Sequence, residues 1–158
     1  MSYSWRFLRV LALGTWVGAI IYFVAVVTRG AFAVLPNRDE AGALVGFTLG
    51  GLHWMGAIAA VVFLAASLAL GKSVRALAQP PALGVILMVL LTLTSQRIVI
   101  PRMAELRSAM VSVEATPAND PRRAEFDTLH GISVDLEGAV LVIGLAALFL
   151  ATRENRRV

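Results

Sequence analysis

The residues most capable of chemistry in this sequence are polar side chains within or beside long apolar stretches: His53, Gln96, Arg97, His130, Asp135 and Glu137. A helix turns by about 100° per residue, so His130, Ser133 and Glu137 share one face while Asp135 points elsewhere. Ionisable groups at membrane depth are costly unless they are paired, hydrated or turned toward the bundle interior. We therefore expect the polar groups to meet near the extracytoplasmic ends of their helices.

Three arrangements could use these side chains. His53 and His130 could be the axial ligands of a b-type haem or a chlorophyll, because helical bundles hold tetrapyrroles between facing histidines. His53, His130 and Glu137 could instead bind a metal ion. The third arrangement is a structural ion pair, in which Arg97 neutralises Glu137 or Asp135. The sequence requires no cofactor.

The composition favours a membrane protein that is not an enzyme. The chain is 58% hydrophobic and 15% charged, whereas globular domains average about 45–50% and about 25%. It has no cysteine, which excludes disulfides, thiolate metal sites and a nucleophilic cysteine. Ser133 lies one turn from His130 on the same helix, which is poor geometry for activating a nucleophile. Arginines at the ends of apolar runs, without a basic aromatic stripe, argue against nucleic-acid binding.

Four apolar segments could cross a bilayer, which takes about 20 residues each. We predict helices over residues 7–28, 46–70, 81–97 and 121–152. Asp120 followed by Pro121 is typical of a helix N-cap and first turn. The predicted fold is all-α: one domain over residues 1–158, forming an antiparallel four-helix membrane bundle.

Two connections carry further signals. Residues 28–46 are predicted to form an outer loop with a turn at Pro36 and Asn37. Pro101 should kink or end the third helix. Beyond it, residues 102–114 are predicted to form an amphipathic surface helix, with these residues on one face: Met103, Leu106, Met110 and Val113.

Small residues predict where helices approach closely. Gly14 and Gly18 form a GxxxG pattern in the first helix, and Gly50 and Gly56 flank His53 at three residues on either side. Such residues let a neighbouring backbone come near.

The basic residues predict the orientation. With the N-terminus inside, the cytoplasmic parts contain one acid, Glu154, and these basic residues: Arg6, Arg9, Lys72, Arg75, Arg153, Arg156 and Arg157. Cytoplasmic segments are enriched in lysine and arginine. Both termini are therefore predicted to be cytoplasmic, in a bacterial cytoplasmic (inner) membrane.

Two stretches, "SQRIVIPRMAELRSAM" at 95–110 and "EFDTLHGISVDLE" at 125–137, carry a family resemblance. The sequence resembles the transmembrane protein 205-like family, small four-helix membrane proteins with a domain of unknown function. The matching positions are Pro101, Arg102, Phe126, His130, Gly131 and Ser133, with "AFAVLP" and "GTWVG" upstream. The resemblance implies an integral membrane protein of a group sometimes associated with tolerance to metal-containing drugs. Glu137 stands where the family usually has asparagine.

We expect a non-enzymatic accessory or scaffolding subunit, surrounded by membrane lipids, that packs against a larger electron-transfer or photosynthetic complex. One alternative is a metal-ion or small-solute handling protein with its polar site at the outer end of the bundle. A further alternative is a haem or chlorophyll carrier that uses His53 and His130.

Overall fold

The computed structural model describes the backbone of residues 2–156 and the side chains of residues 3–154, and within these ranges the regular structure is helical. Arg157 and the side chain of Arg156, two of the basic residues used to predict the orientation, lie outside the described residues. Four helical spans are long and apolar enough to cross a membrane: Tyr3–Val34, Arg38–Gly71, Pro80–Ser108 and Pro121–Glu154. The all-α prediction is confirmed, and the chain is an integral membrane protein.

The first span consists of α1 (Ser2–Tyr22), a π-helical segment (Phe23–Thr28) and α2 (Arg29–Val34). The second span is α3 (Arg38–Gly71). Only residues 35–37 separate these spans, so the predicted outer loop over residues 28–46 is wrong for most of its length. The helices extend because polar turns outside the apolar stretch still satisfy their own backbone hydrogen bonds.

Asn37 caps the start of α3. Its side-chain oxygen accepts a hydrogen bond from the Glu40 amide at 2.8 Å, and its side-chain amide donates to the Glu40 carboxylate at 2.7 Å. The first of these bonds satisfies a backbone N–H that the first turn of a helix leaves unpaired, and the second holds the two side chains together. The predicted turn at Pro36 and Asn37 lies where the chain bends between the first two spans, and Asn37 is also the N-cap of α3.

The third span consists of α4 (Pro80–Thr94), a second π-helical segment (Ser95–Val99) and α5 (Ile100–Ser108). A short 3-10 helix (Val74–Ala78) precedes it. Pro101 does not end the helix, because it lies at the start of α5, directly after the π-helical segment. We call that segment, Ser95–Val99, the wide turn. A π turn already changes the hydrogen-bond spacing, so the missing proline N–H is accommodated there.

The fourth span, α6 (Pro121–Arg156), begins where Asp120 and Pro121 predict. Asp120 accepts a hydrogen bond from the Arg122 backbone amide at 2.8 Å, as an N-cap does. The Arg122 guanidinium also donates to this carboxylate at 2.7 Å. That hydrogen bond holds the pKa of Asp120 at about 2, below its ordinary value.

The four spans form a closed ring: α1 packs against α3 and α6, and α4 packs against the same two helices. Short connections make neighbouring spans antiparallel. Large side chains fill the centre, and the most deeply buried include Leu13, Trp16, Ile20, Phe63, Val85, Met88 and Val140. We call the end of the bundle at which α1 begins and α6 ends the terminal end, and the opposite end the distal end.

The distal end has its own small core. Leu106, Met110, Val113 and Phe126 are buried together, with Met103 and Leu129 packed against them. The predicted apolar face is therefore real, but its partner is α6 rather than a membrane surface. The predicted surface helix over residues 102–114 is wrong in extent, since α5 ends at Ser108.

Hydrogen bonds hold the 109–120 connection onto the distal end. Asp39 at the start of α3 accepts a hydrogen bond from the Val113 amide at 3.0 Å and another from the Ser112 hydroxyl. Arg123 of α6 donates to the Val113 carbonyl. The connection thus joins the second span to the fourth.

At the terminal end, Arg9 forms a half-buried ion pair that the sequence analysis did not predict. Its guanidinium donates to Glu154 at 3.0 Å and lies 5.0 Å from the centre of the Phe63 ring. The Arg9 side chain is 9% exposed and that of Glu154 is 37% exposed. The first, second and fourth spans therefore meet at one cation.

The glycines predicted to mark close helix contacts differ in how much space surrounds them. A Cβ atom added at Gly56 would lie 2.4 Å from Trp16 Cε2. Gly14, Gly18 and Gly50 have no atom within 4 Å of such a Cβ. Close approach therefore depends on Gly56, whereas the GxxxG pattern of the first helix does not mark a tight contact.

We predict that Gly56→Ala lowers the free energy of unfolding by about 1–3 kcal/mol, because the added methyl group would force Trp16 to move. The measurement is denaturant unfolding of the purified protein in detergent. Gly51→Ala is the matched control, since Gly51 is exposed and has open space at the Cβ position. Equal unfolding midpoints for the two variants would contradict this packing.

Replacing Arg9 by methionine should lower the free energy of unfolding by about 1–3 kcal/mol, less than for a fully buried pair because Glu154 is partly hydrated. Arg75→Met serves as the control because Arg75 is exposed at the same end. Thermal unfolding in detergent measures both changes. A loss of stability no greater in Arg9→Met than in Arg75→Met would refute the role of the ion pair.

Candidate intramembrane site

His53 connects three spans inside the bundle. The residue is 5% exposed, and it lies about 22 Å along α3 from Arg38, close to the middle of the helix. Its Nδ1 atom lies 2.8 Å from Gln96 Oε1 in the third span. Its Nε2 atom lies 3.3 Å from Glu137 Oε2 in the fourth span. Both ring nitrogens therefore have protein partners.

The hydrogen bonds of His53 permit two charge states. Both partner atoms are acceptors, so an imidazole that donates to both carries two protons, and the Glu137 carboxylate balances its charge. If the Gln96 amide is rotated by half a turn, its NH₂ group donates to Nδ1 and the imidazole is neutral. Gln96 can satisfy either state because an amide presents a donor on one side and an acceptor on the other.

The π-helical segment of the third span carries Gln96 and Arg97. A π turn holds an extra residue and is frequently found at functional sites. Here it supplies two consecutive polar side chains between the apolar helix α4 and the proline of α5. Gln96 is half-buried and Arg97 is exposed.

A cavity of about 180 Å³ lies beside His53. Its wall is formed by Trp16, His53, Trp54, Ala57, Val89, Thr92, Leu93, Gln96 and Arg97. Trp16 is fully buried, whereas Trp54 is 71% exposed and Leu93 is 46% exposed. The cavity therefore has its base in the core and its rim on the outer surface between the second and third spans.

The structure brings together only part of the predicted site. His53, Gln96 and Glu137 are in contact, and Arg97 lines the adjoining cavity. His130 and Asp135 are exposed on α6. The predicted ion pair between Arg97 and Glu137 or Asp135 is not formed in the described part of the chain, because the Glu137 carboxylate faces His53 instead.

The arrangement of His53, His130 and Glu137 does not suit the two predicted ligand sites, a tetrapyrrole held by two histidines and a metal ion. Haem ligation needs a free ring nitrogen, and both nitrogens of His53 are held by Gln96 and Glu137. His130 is exposed and lies about two turns from Glu137 along α6. Among the described residues, no group of three or more histidine, cysteine, aspartate or glutamate side chains could hold a metal ion.

The position of the site also differs from the prediction. Glu137 lies about 24 Å from the start of α6, and His53 is near the middle of α3. The second predicted helix began at Gly46 and the third ended at Arg97, whereas α3 begins at Arg38 and the third span ends at Ser108. The cluster is therefore near the middle of the helices rather than at their ends.

Sequence reasoning missed Trp16 and Thr92 as parts of the site. Both are buried and line the cavity. A signal for Trp16 was present, since a tryptophan in the middle of an apolar span, far from the interface where this residue usually lies, needs a packing partner.

The fold and the site define an integral membrane four-helix protein with a polar cluster inside the bundle. Residues 11–112, more than half of the chain, match the family described as a domain of unknown function (DUF4149), and the chain belongs to that family. The matched range contains Trp16, His53, Gln96 and Arg97 but ends before Glu137. Neither the curated proteins nor the solved structures include a significant match to the chain.

We predict that Glu137→Ala lowers the free energy of unfolding by about 1–3 kcal/mol, because it leaves a buried His53 nitrogen without a partner. Glu137→Gln should cost less, since an amide can still bond to the ring. Asp135→Ala is the control, being exposed two residues away on the same helix. Unfolding in detergent is the measurement, and indistinguishable Glu137→Ala and Asp135→Ala variants would show that the contact is unimportant.

Proposed function

We propose that the protein binds a small molecule within the membrane, in the cavity beside His53, and that it handles a solute rather than catalysing a reaction. The observation that supports this proposal is the convergence of polar side chains from two spans, His53 of the second with Gln96 and Arg97 of the third, on one wall of an otherwise apolar cavity. Ligand sites have this composition, with mostly apolar walls and a few placed polar groups.

The cost of the polar cluster supports the same proposal. Side chains such as His53, Gln96 and Glu137 are expensive inside an apolar bundle, and in membrane proteins they commonly mark solute or proton pathways. A purely structural role could be filled by apolar side chains of similar volume at no such cost. The proposed role is therefore that Gln96 and Glu137 fix the His53 ring, which forms part of the cavity wall that the ligand contacts.

The accessory-subunit role expected from the sequence stays a prediction. The predicted orientation, with both termini cytoplasmic in a bacterial inner membrane, also stays a prediction. It is supported by basic residues at the terminal end, among them Arg6, Lys72, Arg75 and Arg153.

We also propose that the narrower resemblance to the transmembrane protein 205-like family is meaningful. The two stretches that carry this resemblance, residues 95–110 and 125–137, contact one another at the distal end. Arg102 of the first stretch donates hydrogen bonds to the Glu125 carboxylate from two guanidinium nitrogens, at 2.7 and 3.0 Å. Phe126 of the second stretch packs against Leu106 of the first. Because both stretches contribute side chains to the distal core, a family with this core would contain both of them.

The solute-binding proposal can be tested with tryptophan fluorescence. The chain has three tryptophans, and in a Trp5→Phe background the emission comes from Trp16 and Trp54, which both line the cavity. A bromine-tagged dodecanol and a bromine-tagged dodecanoate are the probes, because bromine quenches tryptophan at short range. We expect saturable quenching of the detergent-solubilised protein by at least one probe.

Ala57→Phe should weaken this quenching by at least about tenfold in apparent Kd, which corresponds to about 1.4 kcal/mol, because its ring occupies the cavity. Ala65→Phe is the matched control, exposed two turns further along α3. Unfolding midpoints show that both variants fold. Quenching that never saturates, or that is equal in the two variants, would refute a binding site in this cavity.

A further inference from the structure

We infer that the ligand of this cavity is an amphiphile with an anionic head group, a carboxylate or a phosphate, and that Arg97 binds that head group. The inference rests on the proposed function and adds the class of ligand. It is carried by the charges that line the cavity, by the partners of Arg97 and by the position of the opening.

The cavity is lined by one permanent cation and no carboxylate. Arg97 belongs to the wall, whereas Glu137 lies behind His53 and does not line the cavity. The other polar groups of the wall are Thr92, Gln96 and the His53 ring. A ligand that enters therefore meets a cation in the wall itself, whereas the carboxylate of Glu137 is separated from the cavity by the His53 ring, and this arrangement favours a negatively charged group near Arg97.

Arg97 has no carboxylate partner within residues 3–154, the part of the chain whose side chains are described. Other arginines are paired, such as Arg9 with Glu154 and Arg102 with Glu125. An arginine within an apolar span is costly without a partner or water. The guanidinium fork matches carboxylate and phosphate oxygens in geometry, so an anionic ligand would supply the missing partner.

The remainder of the cavity suits an apolar chain. Trp54, Ala57, Val89 and Leu93 form its apolar wall, and Trp54 and Leu93 are exposed at the rim. The opening faces outward between the second and third spans, and both spans are long and apolar enough to cross a membrane. An amphiphile could therefore enter sideways, with its head group at Arg97 and its chain along the exposed tryptophan.

The test compares the two bromine-tagged probes on the Trp5→Phe protein. We expect the dodecanoate to bind at least about tenfold more tightly than the dodecanol, because an ion-paired hydrogen bond is stronger than a neutral one. Arg97→Gln should remove this difference by weakening the dodecanoate alone. Arg29→Gln is the matched control, since Arg29 is exposed in the first span and does not line the cavity.

Two results would overturn the inference without touching the proposed function. One is equal affinity for dodecanoate and dodecanol, with saturation and sensitivity to Ala57→Phe retained. The other is an equal effect of Arg97→Gln and Arg29→Gln, which would show general attraction of anions to a basic protein. Loss of saturable quenching by both probes would instead refute the cavity as a binding site.

A second pair of probes separates the two sources of an anionic head group. Phosphatidylglycerol and phosphatidylcholine, each with brominated acyl chains, are compared in lipid nanodiscs. Quenching by phosphatidylglycerol that exceeds quenching by phosphatidylcholine, and that depends on Arg97, identifies a membrane lipid as the occupant. Equal quenching by both lipids, together with Arg97-dependent binding of dodecanoate, identifies a free acid.

Discussion

The hydrogen bonds of a single imidazole ring determine how the second, third and fourth spans meet. His53 has one nitrogen on Gln96 and the other on Glu137, so its orientation is fixed from two directions. His53 is 5% exposed, and a hydrogen bond between buried groups is stronger than the same bond at a protein surface. The distances between the three helices at this depth follow from the lengths of these side chains.

The cavity is a consequence of that arrangement and of Gly56. Trp16 reaches across from the first span because Gly56 leaves room for its indole. The large ring then forms the base of the cavity, and His53 and Gln96 form the polar part of its wall. A residue with a side chain at position 56 would push the indole toward this space, so packing and the shape of the site are linked.

Much of the fold could be predicted from the sequence, because apolar length and helix capping are local properties. The four spans and the start of α6 at Pro121 were found from these signals. The start of α3 at Arg38 was not, since the polar turns before the apolar stretch resemble a loop in composition, and α5 ends at Ser108 rather than at the predicted residue 114. For the site, the residue types predicted an intramembrane cluster, and Glu137 and His53 do meet. Whether Glu137 faces His53 or Arg97 depends on how the helices are rotated about their axes. The wide turn at Ser95–Val99 changes that rotation in the third span, and the hydrophobic periodicity of the sequence does not reveal it.

That wide turn has a consequence for how this site can change between relatives. Because a π turn holds one residue more than an α turn, deleting a single residue there would restore α-helical hydrogen bonds, and the residues beyond it would keep nearly the same faces relative to α4. Point substitutions at Gln96 or Arg97 alter the chemistry of the wall but leave its geometry in place. A one-residue deletion would instead remove a residue from the turn and leave the distal half of the third span in place, so alignments of this region should be read for gaps before they are read for residue identity.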